Sequence, residues 1–294
     1  MMDNAKAGNK KRLTLRKRNA IEGYLFISPW LIGFFLFTAF PFFYSLYLSL
    51  SKVNITPQGI TAQWNGLSNY IDIFTKDIEF VPALIDTVIF VGLSTPLIIV
   101  AALLIALMLN SQFKGRSVFR AIYFLPVIII SGPVMSELIN NKAINIIEPT
   151  RYSIYQIFKT LPLNIGSPII YVFDNMVTIL WFSGVQILIF LAGLQKIDKA
   201  LYEAAQIDGA SSWEIFWKII LPDLMPLALI NAIYTIVDVA TFPNNKINVE
   251  IASNMFKTGN VYSYSSAMSW TYCLIIFVIL GIAFLILRDR RSES

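Results

Sequence analysis

The run VPALIDTVIFVGLSTPLIIVAALLIALML, from Val81 to Leu109, contains a single charged residue, Asp86. A hydrocarbon layer about 30 Å thick requires roughly 20 apolar residues in a helix, because backbone polar groups in lipid must be satisfied within their own segment. This run is longer than that and is apolar on all sides. It therefore predicts a transmembrane helix rather than a helix of a soluble core.

Five other runs of similar length repeat this pattern in a chain that is 56% hydrophobic and 14% charged, with a mean hydropathy of +0.64. The predicted fold class is therefore all-α, a polytopic membrane protein with six transmembrane helices. The domain prediction is a basic tail 1–23, one membrane domain 24–287 and a tail 288–294. The six predicted spans are Tyr24–Leu50, Val81–Leu109, Val118–Ile139, Asn175–Leu194, Met225–Phe242 and Tyr264–Leu287.

The distribution of positive charge predicts the orientation of these spans. Most of the 23 Lys and Arg residues lie on the inner side if both termini are cytoplasmic, and short loops rich in these residues stay inside. The basic tail Lys6–Arg18 is compatible with a nucleic-acid arm, but contact with anionic membrane lipid is the favoured interpretation. The sequence predicts a multi-pass protein of the bacterial cell membrane with no nucleic-acid partner.

Residue usage excludes several kinds of chemistry within the chain. There is no His and only one Cys, Cys273, which excludes an internal disulfide and a zinc cluster. No paired carboxylates, catalytic triad or metal-ligand spacing is present either. The sequence thus predicts that the chain is not an enzyme and binds no metal.

The loop between the fourth and fifth predicted spans, residues 196–224, contains LYEAAQIDGASSWEIFWKIILP from Leu201 to Pro222. Its pattern predicts two short helices joined at Gly209, with Asp198 capping the first helix and Gly209 ending it in a left-handed conformation. Ser211 and Glu214 form the signature of a capping box for the second helix, which Pro222 is expected to end.

Two interpretations of this loop remain open on physical grounds. Small residues at Ala204 and Ala205 permit close approach by another protein, with the Glu203 carboxylate at the edge of such a contact. An ordinary amphipathic connector has the same pattern. In the second helix, the residues at helical spacing are expected to lie against the membrane interface or the bundle: Trp213, Phe216, Trp217 and Ile220.

The loop resembles the EAA loop of ABC importer permeases, through the pattern Glu203-Ala204-Ala205, Gly209, Ile219 and Leu221-Pro222. The sugar-permease branch, related to the maltose and glycerol-phosphate importers, is similar over nearly the whole chain from Tyr24. Further matching segments are Ser28-Pro29-Trp30, Gly66-Leu67-Ser68-Asn69-Tyr70, Phe124-Leu125-Pro126 and Leu191-Ala192-Gly193-Leu194-Gln195.

This resemblance implies a type I importer permease fold and ATP-driven alternating access. Its implied partners are a second homologous permease in a heterodimer, two cytoplasmic ATPases and an extracytoplasmic binding protein that delivers an oligosaccharide. The resemblance assigns coupling to the ATPase to Glu203, Ala204, Ala205, Asp208, Gly209 and Pro222. The chain lacks a phosphate-binding Gly-x-x-x-x-Gly-Lys-Ser/Thr loop, so ATP and Mg²⁺ are assigned to the partner ATPases and no cofactor to this chain.

Two positions depart from the broader family pattern. Asp86-Thr87 replaces the Asn-Thr of many relatives, and Phe242-Pro243-Asn244-Asn245 replaces a common Gly-Gly-Pro. The segment from Ile236 to Asn245 resembles instead the YesP-type permeases, which are associated with plant pectin oligosaccharides.

Polar residues within the spans are candidates for a substrate pathway. A charge at the centre of a bilayer costs roughly 2.5 to 3.5 kcal/mol on insertion scales, so the acidic residues require an explanation. The candidates are Asp86, Trp181, Asn231, Tyr234 and Asp238, and for each of them a purely structural role is the alternative. An ion-coupled secondary transporter using Asp86 and Asp238, and a membrane transferase, are the competing functions.

Overall fold

The computed structural model describes residues 15–56, 59–111, 114–129, 170–255 and 262–288. These parts of the chain consist of helices joined by short turns, with one hairpin of strands β1 (Ser51–Thr56) and β2 (Gly59–Trp64). The helices are α1 (Leu15–Phe34), α2 (Phe40–Ser49), α3 (Ser68–Thr75), α4 (Phe80–Asn110), α5 (Arg116–Ile129), α6 (Met176–Phe182), α7 (Gly184–Lys196), α8 (Lys199–Ile207), α9 (Ser212–Ile215), α10 (Leu221–Ala240), α11 (Lys246–Asn254) and α12 (Ser263–Leu287).

Four continuous helices in the described ranges are long and apolar enough to cross a membrane: Asn19–Ser49, Phe80–Asn110, Ser212–Ala240 and Ser263–Leu287. The second and sixth predicted spans are thereby confirmed as helices, to within one residue at each end. The third predicted span is described only as far as Ile129, and its remainder lies outside the described residues. The total of six spans and the cytoplasmic termini stay predictions.

The fourth predicted span is not one uninterrupted helix. It is divided at Ser183 into α6 and α7, so the expectation of a single continuous helix was wrong. The Ser183 hydroxyl donates to the Leu180 carbonyl at 2.8 Å, and the Ser183 backbone N–H points to the same oxygen at 3.3 Å. A serine that bonds locally to the backbone competes with the regular helical pattern, which explains the break.

Two π-helical turns precede prolines that lie within continuous helices, and one of these prolines, Pro222, was predicted to end its helix. The turn Phe35–Ala39 precedes Pro41, and the turn Phe216–Ile220 precedes Pro222. In the second turn the Leu221 N–H bonds to the Phe216 carbonyl, five residues earlier. This wider turn accommodates the missing N–H and the ring of proline, which would clash with a regular α-helical turn. The prediction that Pro222 ends its helix was therefore wrong.

The hairpin was not predicted, and it begins the loop that follows the first span. Ser51 pairs with Trp64 at the end of the hairpin opposite its turn. Val53 is buried while its neighbours Lys52 and Asn54 are exposed, which follows the two-residue period of a strand. The Asn69 amide donates to the Ser49 and Ser51 carbonyls at 2.8 and 2.9 Å. Part of the Gly66–Tyr70 motif thus ties the hairpin to the end of α2.

The described residues fall into two compact units, one comprising those up to Thr75 and those within Asn254–Trp270, and the other those within Lys76–Ser253 and those from Thr271 to Arg288. The second unit contains an apolar core in which α4, α7 and α10 meet. Its fully buried members are Ala102, Ala106, Leu109, Ile187, Phe190, Leu191, Leu194 and Leu224.

Candidate docking loop and transport pathway

The loop between α7 and α10 has the local structure that its sequence predicted. The Asp198 carboxylate accepts the Ala200 N–H at 3.0 Å and caps α8. Gly209 follows α8 with a φ of +82°, the left-handed conformation that favours glycine. Both bonds of the Ser211–Glu214 capping box are present at the start of α9. These three predictions are confirmed.

Helix α8 presents one face to the bundle and exposes the other. Tyr202 and Ala205, three residues apart, are half-buried, whereas Glu203, Ala204 and Asp208 are exposed. Burial raises the pKa of the Tyr202 phenol, and the negative charge of Asp223 at the start of α10 raises it further. Tyr202 and Ala205 thus lie on the opposite side of α8 from the exposed Glu203 and Ala204.

The exposed face of α8 also carries an unusual apolar residue. Ile207, next to the C-terminal end of the helix, has 86% of its surface exposed, and Leu201 is also largely exposed. None of the residues of α8 is buried. An exposed apolar side chain such as Ile207, with carboxylates next to it, is better suited to contact with another protein than to contact with water. This favours the docking interpretation of the loop over that of a simple connector.

The aromatic stripe of the second short helix is only partly packed. Trp213 lies 5.4 Å from Trp217 between ring centroids, and both rings are largely exposed. Ile220 packs against the apolar core, while the buried residue of α9 is Ile215, which the stripe did not include. The rings of Trp213 and Trp217 thus form an aromatic surface beside α8.

Replacing Ser211 by alanine is expected to loosen the start of α9. Loss of an N-cap side chain costs about 1 kcal/mol, so local opening and amide hydrogen exchange across residues 211–217 should rise roughly fivefold. Hydrogen exchange measured by mass spectrometry on the purified protein checks this. The Ser212→Ala variant is the matched control, because Ser212 lies inside the helix and is not the cap; equal exchange in both variants would contradict the capping role.

The five candidate pathway residues are not brought together at one place. Asp86 on α4 forms an ion pair with Lys246 at the start of α11 and lines a cavity of about 350 Å³. None of the described residues lining that cavity is another of the five candidates. The ion pair explains how Asp86 is tolerated near the end of a span. Sequence reasoning missed Lys246 because 160 positions separate the partners.

Asn231 lies in a buried polar contact between α7 and α10. Its amide donates to the Gln186 carbonyl at 3.4 Å, and the Gln186 amide donates to the Thr235 hydroxyl at 2.8 Å. All three side chains are buried. In this conformation Asn231 joins α7 and α10 through these hydrogen bonds. Sequence reasoning also missed Gln186 and Thr235.

The other three candidates lie on two helices, Trp181 on α6 and Tyr234 with Asp238 on one face of α10. The Trp181 indole is half-buried, and its N–H has no hydrogen-bond partner in the described part of the chain. Tyr234 is exposed and Asp238 half-buried, one helical turn apart on α10. Their roles in substrate passage stay predictions.

Residues 79–290 match the protein family described as "Binding-protein-dependent transport system inner membrane component". The chain belongs to this family. It is thus the membrane-embedded permease component of a binding-protein-dependent ABC importer.

Several relatives match most of the permease. It is 33% identical over 314 residues to the probable ABC transporter permease protein YesP of Bacillus subtilis, covering 99% of this chain and 97% of the relative. It is 34% identical over 229 residues to the trehalose/maltose transport system permease protein MalF of Thermococcus litoralis, covering 76% and 75%. The lactose transport system permease protein LacF of Rhizobium radiobacter is 28% identical over 308 residues, covering 95% and 98%.

Two solved structures share the fold. A bacterial ABC transporter involved in the import of the acidic polysaccharide alginate matches with a TM-score of 0.62 and 23% identity over 95% of the permease and 98% of that chain. The bacterial alginate ABC transporter in complex with an alginate pentasaccharide-bound periplasmic protein matches with a TM-score of 0.65 and 21% identity over 95% and 97%. The ABC importer permease fold expected from the sequence is confirmed.

Proposed function

We propose that this permease carries an oligosaccharide across a bacterial cell membrane as one half of a heterodimer with a sister permease. Two cytoplasmic ATPases supply the energy and a solute-binding protein delivers the sugar. The observation that carries the proposal is α8, a capped helix whose exposed face combines Glu203 and Asp208 with the apolar Ile207. The names of the relatives, which include lactose, trehalose and maltose transport, support a sugar as the cargo.

The coupling role of α8 follows from its shape. Exposed Ala204 leaves room for close approach of a partner surface, and the Gly209 turn sets the angle at which α9 leaves the contact. Motion of the ATPases would then be transmitted through α9 to α10, because α9, the π-helical turn and α10 form one continuous helix. Membership of the importer family disfavours ion-coupled transport by Asp86 and Asp238.

Co-purification from the native operon tests this proposal. The tagged permease is expected to bring down a second permease and an ATPase, and the complex is expected to hydrolyse ATP faster when the binding protein and a transported sugar are present. Purification of the permease alone, together with uptake driven by an ion gradient, would contradict the proposal and would make Asp86 and Asp238 the residues to titrate.

The Glu203→Lys variant is expected to weaken ATPase coupling. Reversing a charge at the edge of an interface disturbs electrostatic complementarity, and we expect at least a roughly tenfold loss of sugar-stimulated ATP hydrolysis. The assay is ATPase activity of the reconstituted complex with and without transported sugar. Glu79→Lys is the control, since Glu79 is an exposed residue just before α4 whose side chain makes no capping bond. Equal losses in both variants would contradict a docking role for α8.

A further inference from the structure

The cavity beside the Asp86–Lys246 ion pair has the features of a ligand site rather than of a packing gap. Its volume of about 350 Å³ falls within the range of roughly 300 to 1,000 Å³ typical of small-molecule sites, at the end suited to one or two rings. It is bordered by α4, by the segment before α6 and by the turn after α10. The lining residues that bear on recognition are Asp86, Phe90, Tyr171, Asn244 and Lys246.

The turn after α10, which supplies Asn244 and Lys246, is held by side-chain hydrogen bonds to the last carbonyls of the helix. The Asn245 amide donates to the Val239 carbonyl at 2.6 Å. The Asn248 amide donates to the Ala240 and Phe242 carbonyls at 2.9 and 2.8 Å, and the Tyr272 hydroxyl donates to Ala240 at 2.9 Å. Helix ends otherwise leave such carbonyls unpaired. The turn is therefore preorganised, which reduces the entropy lost on ligand binding.

The opposite wall of the cavity presents aromatic rings. The Tyr171 hydroxyl lies 3.2 Å from the Ser94 hydroxyl, an interaction that fixes the position of the phenol ring. Phe90 lies one helical turn beyond Asp86 on α4. Sites for small polar ligands combine such aromatic surfaces with a few well-placed hydrogen-bonding groups. A sugar ring, apolar on its C–H faces and polar at its rim, has the complementary chemistry.

The charges in the cavity indicate which kind of sugar ring fits. Lys246 and Asp86 neutralise each other, and they are the charged residues among the described lining. The exposed amide of Asn244 offers both a donor and an acceptor for hydroxyl groups. A uronate carboxylate at this pair would share Lys246 with Asp86 and would place two negative charges close together, which is unfavourable.

We propose that this cavity is a subsite for one uncharged sugar ring of the transported oligosaccharide. The inference rests on the proposed sugar-import function and adds the location and the charge class of a recognised unit. The cavity lies at the far end of α10 from the docking loop, and the 20 residues of that helix separate the two by about 30 Å. With the docking loop in the cytoplasm, the cavity lies on the side from which the binding protein delivers sugar.

Cysteine protection in intact cells that express the complete importer tests the subsite. Asn244→Cys is introduced into a Cys273→Ser background, which removes the one native cysteine. Labelling by a membrane-impermeant charged thiol reagent is measured with and without lactose, trehalose, maltose or arabinotriose as neutral probes, and alginate trisaccharide or digalacturonate as acidic ones. Uptake of each probe is measured in the same cells. Ser253→Cys on α11, also exposed, is the matched control.

A neutral probe that the cells import is expected to slow labelling of Asn244→Cys several-fold and to leave Ser253→Cys unchanged. Import of a neutral probe without protection at Asn244→Cys overturns the subsite while the importer function stands. Protection by an imported acidic probe overturns the assignment to an uncharged ring. If the Gly209→Pro variant of the importer takes up every probe as well as the unaltered importer does, the proposed function fails, and the subsite fails with it.

Two charge variants provide a second test, because acidic probes are expected to protect the cysteine in one variant and not in the other. Asp86→Asn removes the partner of Lys246 and makes the cavity cationic, so digalacturonate and alginate trisaccharide should gain the ability to protect Asn244→Cys. Lys246→Gln leaves an unpaired carboxylate, and the same acidic probes should give no protection there. Identical probe profiles in the two variants would overturn the role of the ion pair in selecting the ring.

Discussion

The Gly209→Pro variant is expected to lose ATP-driven sugar uptake almost completely. Gly209 has a φ of +82°, whereas the proline ring holds φ near −65°. Proline would also remove the N–H that Gly209 donates to the Gln206 carbonyl at 3.1 Å. The turn between α8 and α9 would have to adopt another path, and the Glu203 face would no longer meet the ATPase at the same angle.

Uptake of sugar and ATP hydrolysis by the reconstituted importer measure this effect together. Gly209→Ala should give a smaller loss, because a Cβ added at Gly209 meets no atom within 4 Å and only the left-handed backbone is strained. Gly281→Ala within α12 is the control. A Cβ added at Gly281 also has no atom within 4 Å, and Gly281 does not have a positive φ. Normal sugar uptake by the Gly209→Pro variant would contradict the role of this turn in transmitting motion from the ATPase.

The Gly193→Val variant is expected to destabilise the bundle strongly. A Cβ added at Gly193 would lie 2.2 Å from Leu227 Cδ1 and 2.8 Å from Leu224 Cδ2. Leu224 belongs to the buried core, so these side chains have little space in which to move. Overfilling a packed core typically costs about 1 to 3 kcal/mol of stability. Valine has two more methyl groups than alanine has, so the cost of Gly193→Val is expected at the upper end of this range or above it.

Thermal unfolding of the purified permease in detergent measures this loss. Gly193→Ala should lower the midpoint less than Gly193→Val, and Gly281→Ala should leave it nearly unchanged. Adding Leu227→Ala to Gly193→Ala makes room for the new methyl group, so the double variant should be more stable than the sum of the single effects predicts. Simple additivity would contradict close packing between α7 and α10 at this glycine.

Local features of the docking loop could be predicted because they depend on residues a few positions apart. The Asp198 cap and the Ser211–Glu214 box pair backbone groups within three residues of their own side chains, and the Gly209 turn depends on the left-handed φ that this one residue adopts. The long apolar helices could be predicted for a similar reason. Twenty or more apolar residues have few alternatives to a membrane-spanning helix.

Proline and serine effects inside the helices were less predictable. Proline usually ends a helix. At Pro222 the preceding π-helical turn widens the backbone and lets the helix continue. Ser183 had no visible signal, because a serine inside an apolar run is equally compatible with an uninterrupted helix. In both cases the choice depends on how neighbouring helices pack around the segment, and packing is not visible in a local pattern.

The sequence by itself determined that this chain is a helical membrane permease, and it located the docking loop with its caps and its glycine turn. Those features are encoded in short-range patterns of hydrophobicity, charge and backbone preference. The pairing of Asp86 with Lys246 and the burial of Asn231 against Gln186 were decided only by the tertiary structure. Such contacts join residues distant along the chain, and their energies depend on the positions that all the packed helices adopt together.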